Sequence, residues 1–252
     1  MAEQRLLVII PSRGLDALLG VCVERARAAI DHCAGRVHGR IVVVDNASDT
    51  PYRATDLPGA DRLLRLDEHR SFSAACNAGA AVADSDLVLL LNNDVLLQRE
   101  AIAGMLDLLT APLVAIVGTR MVFQNGTIQH CGVVFSADGP FHDRAQRPSR
   151  IVPRAPRYLQ CVTGAALMIR TRVFDDLGGL CEDYPFGYED VDLCLRARQQ
   201  GHRIVCAQNV DSIHFESLTP GRAQLGHPSR RVFLDRWQGR WSIDTDERPG
   251  YA

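Results

Sequence analysis

Short, wholly apolar runs alternate along the chain with longer stretches whose apolar residues recur at helical spacing. Leu6–Ile10 reads as a strand buried on both faces. From Leu15 to Cys33 the residues Leu15, Leu18, Leu19, Cys22, Ala26, Ala29, Ile30 and Cys33 form one apolar stripe with charge opposite, so a helix is predicted there. The rhythm repeats with a strand at Ile41–Val44 ending in Asp45, a weaker one at Arg62–Leu66 and an alanine-rich helix at Ser73–Ala83. A central strand at Leu87–Leu91 and a helix at Glu100–Leu109 follow. Alternation of this kind predicts an α/β fold, a mostly parallel central sheet with helices on both faces.

The second half changes character. Val114–Phe123, Ile128–Phe135 and Tyr158–Ile169 read as longer strands without a helix between them, and predict a smaller additional sheet. Ser136–Arg157, rich in Pro, Arg, Asp and Gly, reads as a long surface loop, and loops of that length are usually functional or disordered. A short helix at Thr171–Leu177, a turn at Gly178 and Gly179, and a helix at Glu189–Gln200 stopped by Gly201 complete the pattern. After Ser217 the periodicity fades. The expected organisation is one domain over 1–217, divided into halves at 1–112 and 113–217, with 218–252 as a tail or lid.

With 252 residues, 46% apolar and 23% charged, the chain has material for one sizeable core. All 28 of its Lys+Arg residues are arginine, which excludes chemistry that needs a lysine amine, such as a Walker phosphate lysine or a Schiff base. A net charge of -2 argues against nucleic acid as a partner. The longest apolar runs fall far short of the ~20 residues that span a bilayer, and the N-terminus enters a strand almost at once. No signal peptide and no transmembrane helix are therefore expected. Eight cysteines without C-x-x-C or close Cys/His pairing of zinc-finger type read as free thiols in a reducing cytoplasm.

Ligands of open α/β sheets bind at the carboxyl ends of the strands. Those ends carry Pro11-Ser12-Arg13, Asp45-Asn46-Ala47-Ser48-Asp49 and Asn92-Asn93-Asp94. The first lacks the G-x-G-x-x-G of dinucleotide binding, which sets aside dehydrogenases and flavoproteins. Asp94 closes the most apolar strand, where an acid either caps the next helix or holds a cation. Glu189, Asp190 and Asp192 crowd one helix start, where the helix dipole favours them and Asp192 pairs with Arg196 at i,i+4. The aromatic, glycine-bearing approach Phe186-Gly187-Tyr188 suits a sugar face as well. His214 follows a further strand-like stretch.

Taken in order, these segments resemble the family-2 glycosyltransferases of GT-A fold, particularly bacterial members that build rhamnose-containing and other surface polysaccharides. The matching text comprises Val42-Val43-Val44-Asp45-Asn46-Ala47-Ser48-Asp49, Phe72-Ser73-Ala74-Ala75-Cys76-Asn77-Ala78-Gly79 and Leu89-Leu90-Leu91-Asn92-Asn93-Asp94. It continues through Ile128-Gln129-His130-Cys131-Gly132, Gly164-Ala165-Ala166-Leu167-Met168-Ile169, Gly187-Tyr188-Glu189-Asp190-Val191-Asp192 and His214-Phe215-Glu216-Ser217.

The resemblance implies an inverting transfer of a sugar from a nucleotide-diphosphate sugar to an acceptor hydroxyl. It implies that Pro11, Ser12, Arg13, Asp45, Arg70 and Asn77 line the nucleotide pocket, with Asn92 and Asn93 beside the diphosphate. Asp94 would hold Mg²⁺ or Mn²⁺ with His214 as a second ligand, and Asp190, next to Glu189, would be the catalytic base. Asn92 departs from the family's first acid, and Ser71 stands where many relatives have glycine. The acceptor implied is a glycan, a lipid-linked sugar, a peptide or a small molecule, chosen by Ser136–Arg157 and the segment after Ser217. A lipid-linked acceptor would call for peripheral membrane contact at the inner face, through Arg230, Arg231, Trp237 and Trp241. Two other readings compete: an inactive nucleotide-sugar-binding homologue acting as a partner or regulator, and a nucleotidyltransferase, which would need a Gly-rich, lysine-bearing loop that this chain lacks.

Overall fold

In the computed structural model, which describes residues 3–14, 17–215 and 222–244, a ten-stranded mixed sheet forms the frame. The first half supplies β1 (Gln4–Ser12), α1 (Ala17–Asp31), β2 (Val37–Asp45), β3 (Arg62–Arg65), α2 (Phe72–Ala80), β4 (Leu87–Leu91), β5 (Val95–Leu96) and α3 (Ala101–Leu109). The second half adds β6 (Val114–Val122), β7 (Ile128–His130), β8 (Val133–Ser136), β9 (Gly139–His142), β10 (Arg157–Leu159) and β11 (Ala166–Arg170). It closes with α4 (Thr171–Asp176), α5 (Glu189–Gln199), β12 (Arg203–His214) and α6 (Arg222–Trp237).

Strand order is β10-β12-β6-β11-β4-β1-β2-β3, with β5 on β12 and β7 on β6. Strands β3, β2, β1 and β4 run parallel, as the βαβ alternation predicts. Strand β11 is antiparallel to both β4 and β6. Two reversals restore the original direction, so β6 and its parallel neighbour β12 end on the same edge as β1, β2 and β4. That topology brings His214, the last residue of β12, to the edge that carries Ser12, Asp45 and Asn92.

Alternate residues of β1 feed two cores. Leu6, Val8 and Ile10 pack with α1 and α3 through Leu19, Cys22, Ala26, Ile102 and Met105. Leu7 and Ile9 pack on the opposite face with α2, α4, α5 and α6 through Ala75, Phe174, Leu193, Cys194, Phe233 and Trp237. Burial on both faces is why these strands read as unbroken apolar runs.

Four expectations change. The predicted strand Tyr158–Ile169 is two, β10 at the sheet edge beside β12 and β11 between β4 and β6. The predicted strand Ile128–Phe135 breaks at Gly132, whose φ of +125° favours glycine and whose added Cβ would meet Leu159 Cδ1 at 2.0 Å. The chain therefore leaves the main sheet, and β8 and β9 form a separate two-stranded sheet. The loop 136–157 is partly ordered: it contains β9, and the fully buried Arg120 guanidinium holds its second half by donating to the carbonyls of Ser149, Val152 and Pro153 and pairing with Asp211 at 2.7 Å. The stretch read as a tail or lid includes α6, with Phe233 and Trp237 buried. Its helical character escapes a periodicity search because Pro228 lies within it and polar residues surround the few apolar ones. Residues 218–221 and 245–252 of that stretch lie outside the described residues.

Candidate active site

Ser12 closes β1 with its Oγ 2.7 Å from the Tyr52 hydroxyl, and it accepts a hydrogen bond from Asn93 Nδ2 at 2.8 Å. The Tyr52 hydroxyl in turn donates to the Gly14 carbonyl, and Gly14 N–H donates to Ser48 Oγ at 2.9 Å. Pro11 is buried in the strand, while Arg13 is exposed beyond it. Asp45, 0% exposed at the end of β2, accepts from Ser48 N–H at 2.9 Å and Tyr52 N–H at 3.4 Å and pairs with Arg65 at 2.5 Å. Burial alone would push this carboxyl up; the hydrogen bonds from Ser48, Arg65 and Tyr52 outweigh it and hold it below the usual carboxylate range. Asp45 thus sets the turn after β2, and the half-exposed Arg65 guanidinium stands in front of it.

Asn46 and Arg70 clamp each other: Arg70 N–H donates to Asn46 Oδ1 at 2.9 Å and Asn46 Nδ2 donates to the Arg70 carbonyl at 2.8 Å. Arg70 reaches Glu182 at 3.4 Å. Asn77 of α2 meets the same loop, accepting from Leu180 N–H at 2.9 Å and donating to the Leu180 carbonyl at 2.9 Å and to Glu182 at 3.0 Å. Its amide is engaged on both ends, so what it visibly does is tie α2 to the turn after α4.

The pairing of β5 with β12 sets Val95 opposite His214 and so brings Asp94 to the histidine. His214 Nε2 lies 3.2 Å from Asp94 Oδ1, both residues being 7% exposed. That Asp94 oxygen is buried and has no hydrogen-bond donor. His214 Nδ1 lies 2.6 Å from Gln129 Oε1 of β7. Among the described residues no group of three or more His, Cys, Asp or Glu side chains gathers into a metal cage, so this site offers two protein ligands.

Asp190 sits in the first turn of α5 and is half-buried. Its Oδ2 accepts from Gly164 N–H at 2.7 Å, and its Oδ1 accepts from Val191 N–H at 2.8 Å. Tyr188, left-handed at φ +73°, turns the chain sharply into this helix and stacks on Phe233 at 4.9 Å. Glu189 is more buried and lies beside Cys76 of α2, where burial and then its charge push the thiol up. Of the two neighbouring acids, Asp190 is the more accessible. Asp192 differs again: fully buried, it accepts from Arg196 Nε at 2.6 Å, Trp237 Nε1 at 2.8 Å, Arg236 at 3.2 Å and the Tyr184 hydroxyl at 3.2 Å, binding α5 to α6.

These contacts join into one line along the sheet edge. Asp190 is held by Gly164; the next residue's carbonyl, on Ala165, accepts from Asn92 N–H at 2.9 Å; Asn93 bonds Ser12, and Ser12 leads through Tyr52 and Gly14 to Ser48 and Asp45. All three predicted clusters therefore share one edge. Gln129, Tyr52, Arg65, Gly164 and Glu182 belong to it without having been given a role from sequence; Gln129 and Gly164 lie inside motifs that could have pointed to them, whereas nothing in the pattern marks Tyr52.

Of the two tryptophans expected at a membrane surface, Trp237 is buried and Trp241 half-buried. Trp237 is 3% exposed and bonded to Asp192, while Trp241 stacks on Phe233 at 5.6 Å and donates to the Ser136 carbonyl at 3.0 Å. Arg230 and Arg231 remain at the surface. Among the described residues no helix is long and apolar enough to cross a membrane.

The family model for "Glycosyltransferase like family 2" matches residues 4–242. An uncharacterized protein of Sinorhizobium fredii is 30% identical over 97% of this chain and 28% of its own length. The O-antigen biosynthesis protein RfbC of Myxococcus xanthus is 29% identical over 84% of this chain and 17% of its own length. The chain thus spans less than a third of either relative. A Mycobacterium tuberculosis N-acetylglucosaminyl-diphospho-decaprenol L-rhamnosyltransferase is 26% identical over 80% of this chain and 76% of its own length. Among solved structures, GalNAc-T7 with UDP, GalNAc and Mn²⁺ superposes with a TM-score of 0.72 at 12% identity, covering 93% of this chain and 48% of that one. A mannosyltransferase of Pyrobaculum calidifontis with GDP-Man and Mn²⁺ gives 0.64 at 17% identity, covering 91% and 61%. The fold is that of the GT-A glycosyltransferases.

Proposed function

The chain belongs to glycosyltransferase family 2, and we propose that it moves a sugar, with inversion, from a nucleoside-diphosphate sugar to an acceptor hydroxyl. Asp190 is the base, and Asp94 with His214 holds a divalent cation, Mg²⁺ or Mn²⁺. One observation carries this reading: the unbonded, buried Asp94 oxygen faces His214 Nε2 at 3.2 Å on the same edge that holds Asp190. A carboxylate oxygen without a donor is costly to bury; it is a hard ligand suited to Mg²⁺ or Mn²⁺, and the nearby imidazole nitrogen is a borderline one that of the two favours Mn²⁺.

When bound, the cation supplies charge neutralisation for the diphosphate leaving group. With no lysine in the chain, the remaining positive charge comes from arginine, and Arg13, Arg65 and Arg70 border the edge. Asn92 and Asn93 add neutral donors, with Asn93 oriented by Ser12. Asp190 accepts the acceptor's proton as the new bond forms; Gly164 N–H keeps its carboxylate in place, and fixed geometry compensates for a weak base. The nucleoside moiety lies over the Pro11–Gly14 and Asp45–Ser48 turns, where Asp45 acts by shaping the pocket.

The relatives' printed names extend the proposal to assembly of a bacterial surface polysaccharide, with a lipid-linked sugar as one acceptor class. A panel of nucleoside diphosphates, each with and without Mn²⁺, tests the donor reading by thermal shift; one of them should raise the melting temperature in a Mn²⁺-dependent way. Turnover of the matching nucleotide sugar then tests catalysis. Binding with no turnover under any acceptor would favour the partner-or-regulator reading.

A further inference from the structure

We infer that Gln129 is a positioning residue: it fixes the tautomer of His214 so that Nε2 offers a lone pair to the cation. The inference rests on the reading of Asp94 and His214 as cation ligands. Gln129 Nε2 donates to the backbone carbonyl of His214 at 3.4 Å, which orients the amide so that its oxygen is the atom 2.6 Å from His214 Nδ1. An amide oxygen only accepts, so the proton of a neutral His214 sits on Nδ1. The lone pair is then on Nε2, facing an Asp94 oxygen that is itself only an acceptor.

The alternative tautomer shows what Gln129 prevents. With its proton on Nε2, His214 would donate to Asp94, and the two would satisfy each other; a cation would have to break that bond and displace the proton. Gln129 makes this self-satisfied state unfavourable, because it would set Nδ1 and the amide oxygen against each other as two acceptors. The geometry is rigid: Gln129 is 5% exposed on β7, His214 ends β12, and both strands pair with β6. The neighbouring His130 ring is turned elsewhere, to Thr163 and His142, so Gln129 alone in its motif serves His214.

The test is Mn²⁺ affinity, read from the electron paramagnetic resonance of free Mn²⁺, with UDP, GDP and dTDP added in turn. Removing an outer partner of a ligating histidine typically weakens metal binding by about 10–100-fold. Gln129→Met should show a loss of that size, Gln129→Glu should retain near wild-type affinity because it keeps an acceptor, and Asp94→Asn should lose binding. Equal affinity in wild type and Gln129→Met, with Asp94→Asn impaired, overturns the role of Gln129 and leaves the cation site standing. No Mn²⁺ binding by the wild type under any nucleotide overturns both. If Gln129→Met does not fold, long-range ¹H–¹⁵N spectra of the metal-free wild type decide: a proton on Nδ1 of His214 supports the inference, and one on Nε2 overturns it.

Discussion

Replacing Asp192 by alanine removes the one acceptor that four buried or half-buried donors share. Arg196 Nε at 2.6 Å, Trp237 Nε1 at 2.8 Å, Arg236 at 3.2 Å and the Tyr184 hydroxyl at 3.2 Å all converge on its carboxylate, which is 0% exposed. A charge-assisted hydrogen bond contributes about 1.5–3 kcal/mol, but the four are one network and do not add. Stripping one partner from a buried ion pair costs about 3–5 kcal/mol, and that range is the expected loss here. For a chain of this size each kcal/mol lowers Tm by roughly 2–4 °C, so Asp192→Ala should melt about 6–20 °C early. Asp192→Asn keeps one acceptor oxygen and should fall between the variant and the wild type. Asp190→Asn, two residues away, should stay within about 0.5 kcal/mol of wild type, because its carboxylate is half-exposed and meets only backbone N–H groups. Urea denaturation with matched m-values is the assay. A loss below about 1 kcal/mol for Asp192→Ala would refute the network argument.

His130 is fully buried, and burial, with the positive fields of His142, His214 and Arg157, holds its pKa well below the ordinary histidine value. The unfolded chain therefore binds a proton below about pH 6.5 that the folded chain refuses, so stability falls as pH drops, by at most about 1.4 kcal/mol per unit from this group. Urea midpoints between pH 7.5 and pH 5.5 should show a steeper loss in wild type than in His130→Gln. Asp45 has the same pH sign for a different reason, its charged form being the favoured one: its lowered pKa adds stability above the unfolded carboxylate value, lost as pH falls through the folded one, so the advantage of wild type over Asp45→Asn should shrink below about pH 4 in the same assay. Gly164→Ala places a Cβ 3.1 Å from the Asp190 Cβ and shifts the base by a few tenths of an ångström; a fall of roughly 10-fold in kcat with unchanged nucleotide binding is expected, since small misplacements of reacting groups are costly. Arg120→Met takes one of two arginines from Asp211 and removes the guanidinium that the carbonyls of Ser149, Val152 and Pro153 share, and should make the 143–157 segment cleavable by trypsin under native conditions, checked by mass spectrometry of the fragments.

The parallel half of the fold was legible because burial on both faces leaves an unmistakable trace: each run at Leu6–Ile10, Ile41–Val44 and Leu87–Leu91 lies within an observed strand. The antiparallel half was not, since its breaks depend on tertiary contact. Gly132 bends away because Leu159 fills the space where a side chain would go, and neither residue announces the other. The same holds for α6, whose hold on the body comes from Phe233, Trp237 and the partners of Asp192 rather than from a repeating stripe. In the candidate site, the acids were proposed from their position and from resemblance. The resemblance already singled out Asp190, and i,i+4 spacing already paired Asp192 with Arg196; packing adds that Glu189 is buried, that Asp190 is the more accessible, and that Asp192 also gathers Trp237, Arg236 and Tyr184. The Asp94–His214 pairing depends on β5, a strand of two residues that no periodicity can reveal.

The central claim is that one edge holds a base on one side of the sugar and a cation with the diphosphate on the other. Comparing Asp190→Asn with wild type for both Mn²⁺-dependent nucleoside-diphosphate affinity and nucleotide-sugar turnover tests it most directly. Affinity within about 3-fold of wild type with turnover reduced by at least about 10³ is the predicted result, the scale of losing a general base in a preorganised site. Affinity and turnover lost together, or turnover retained, would contradict it.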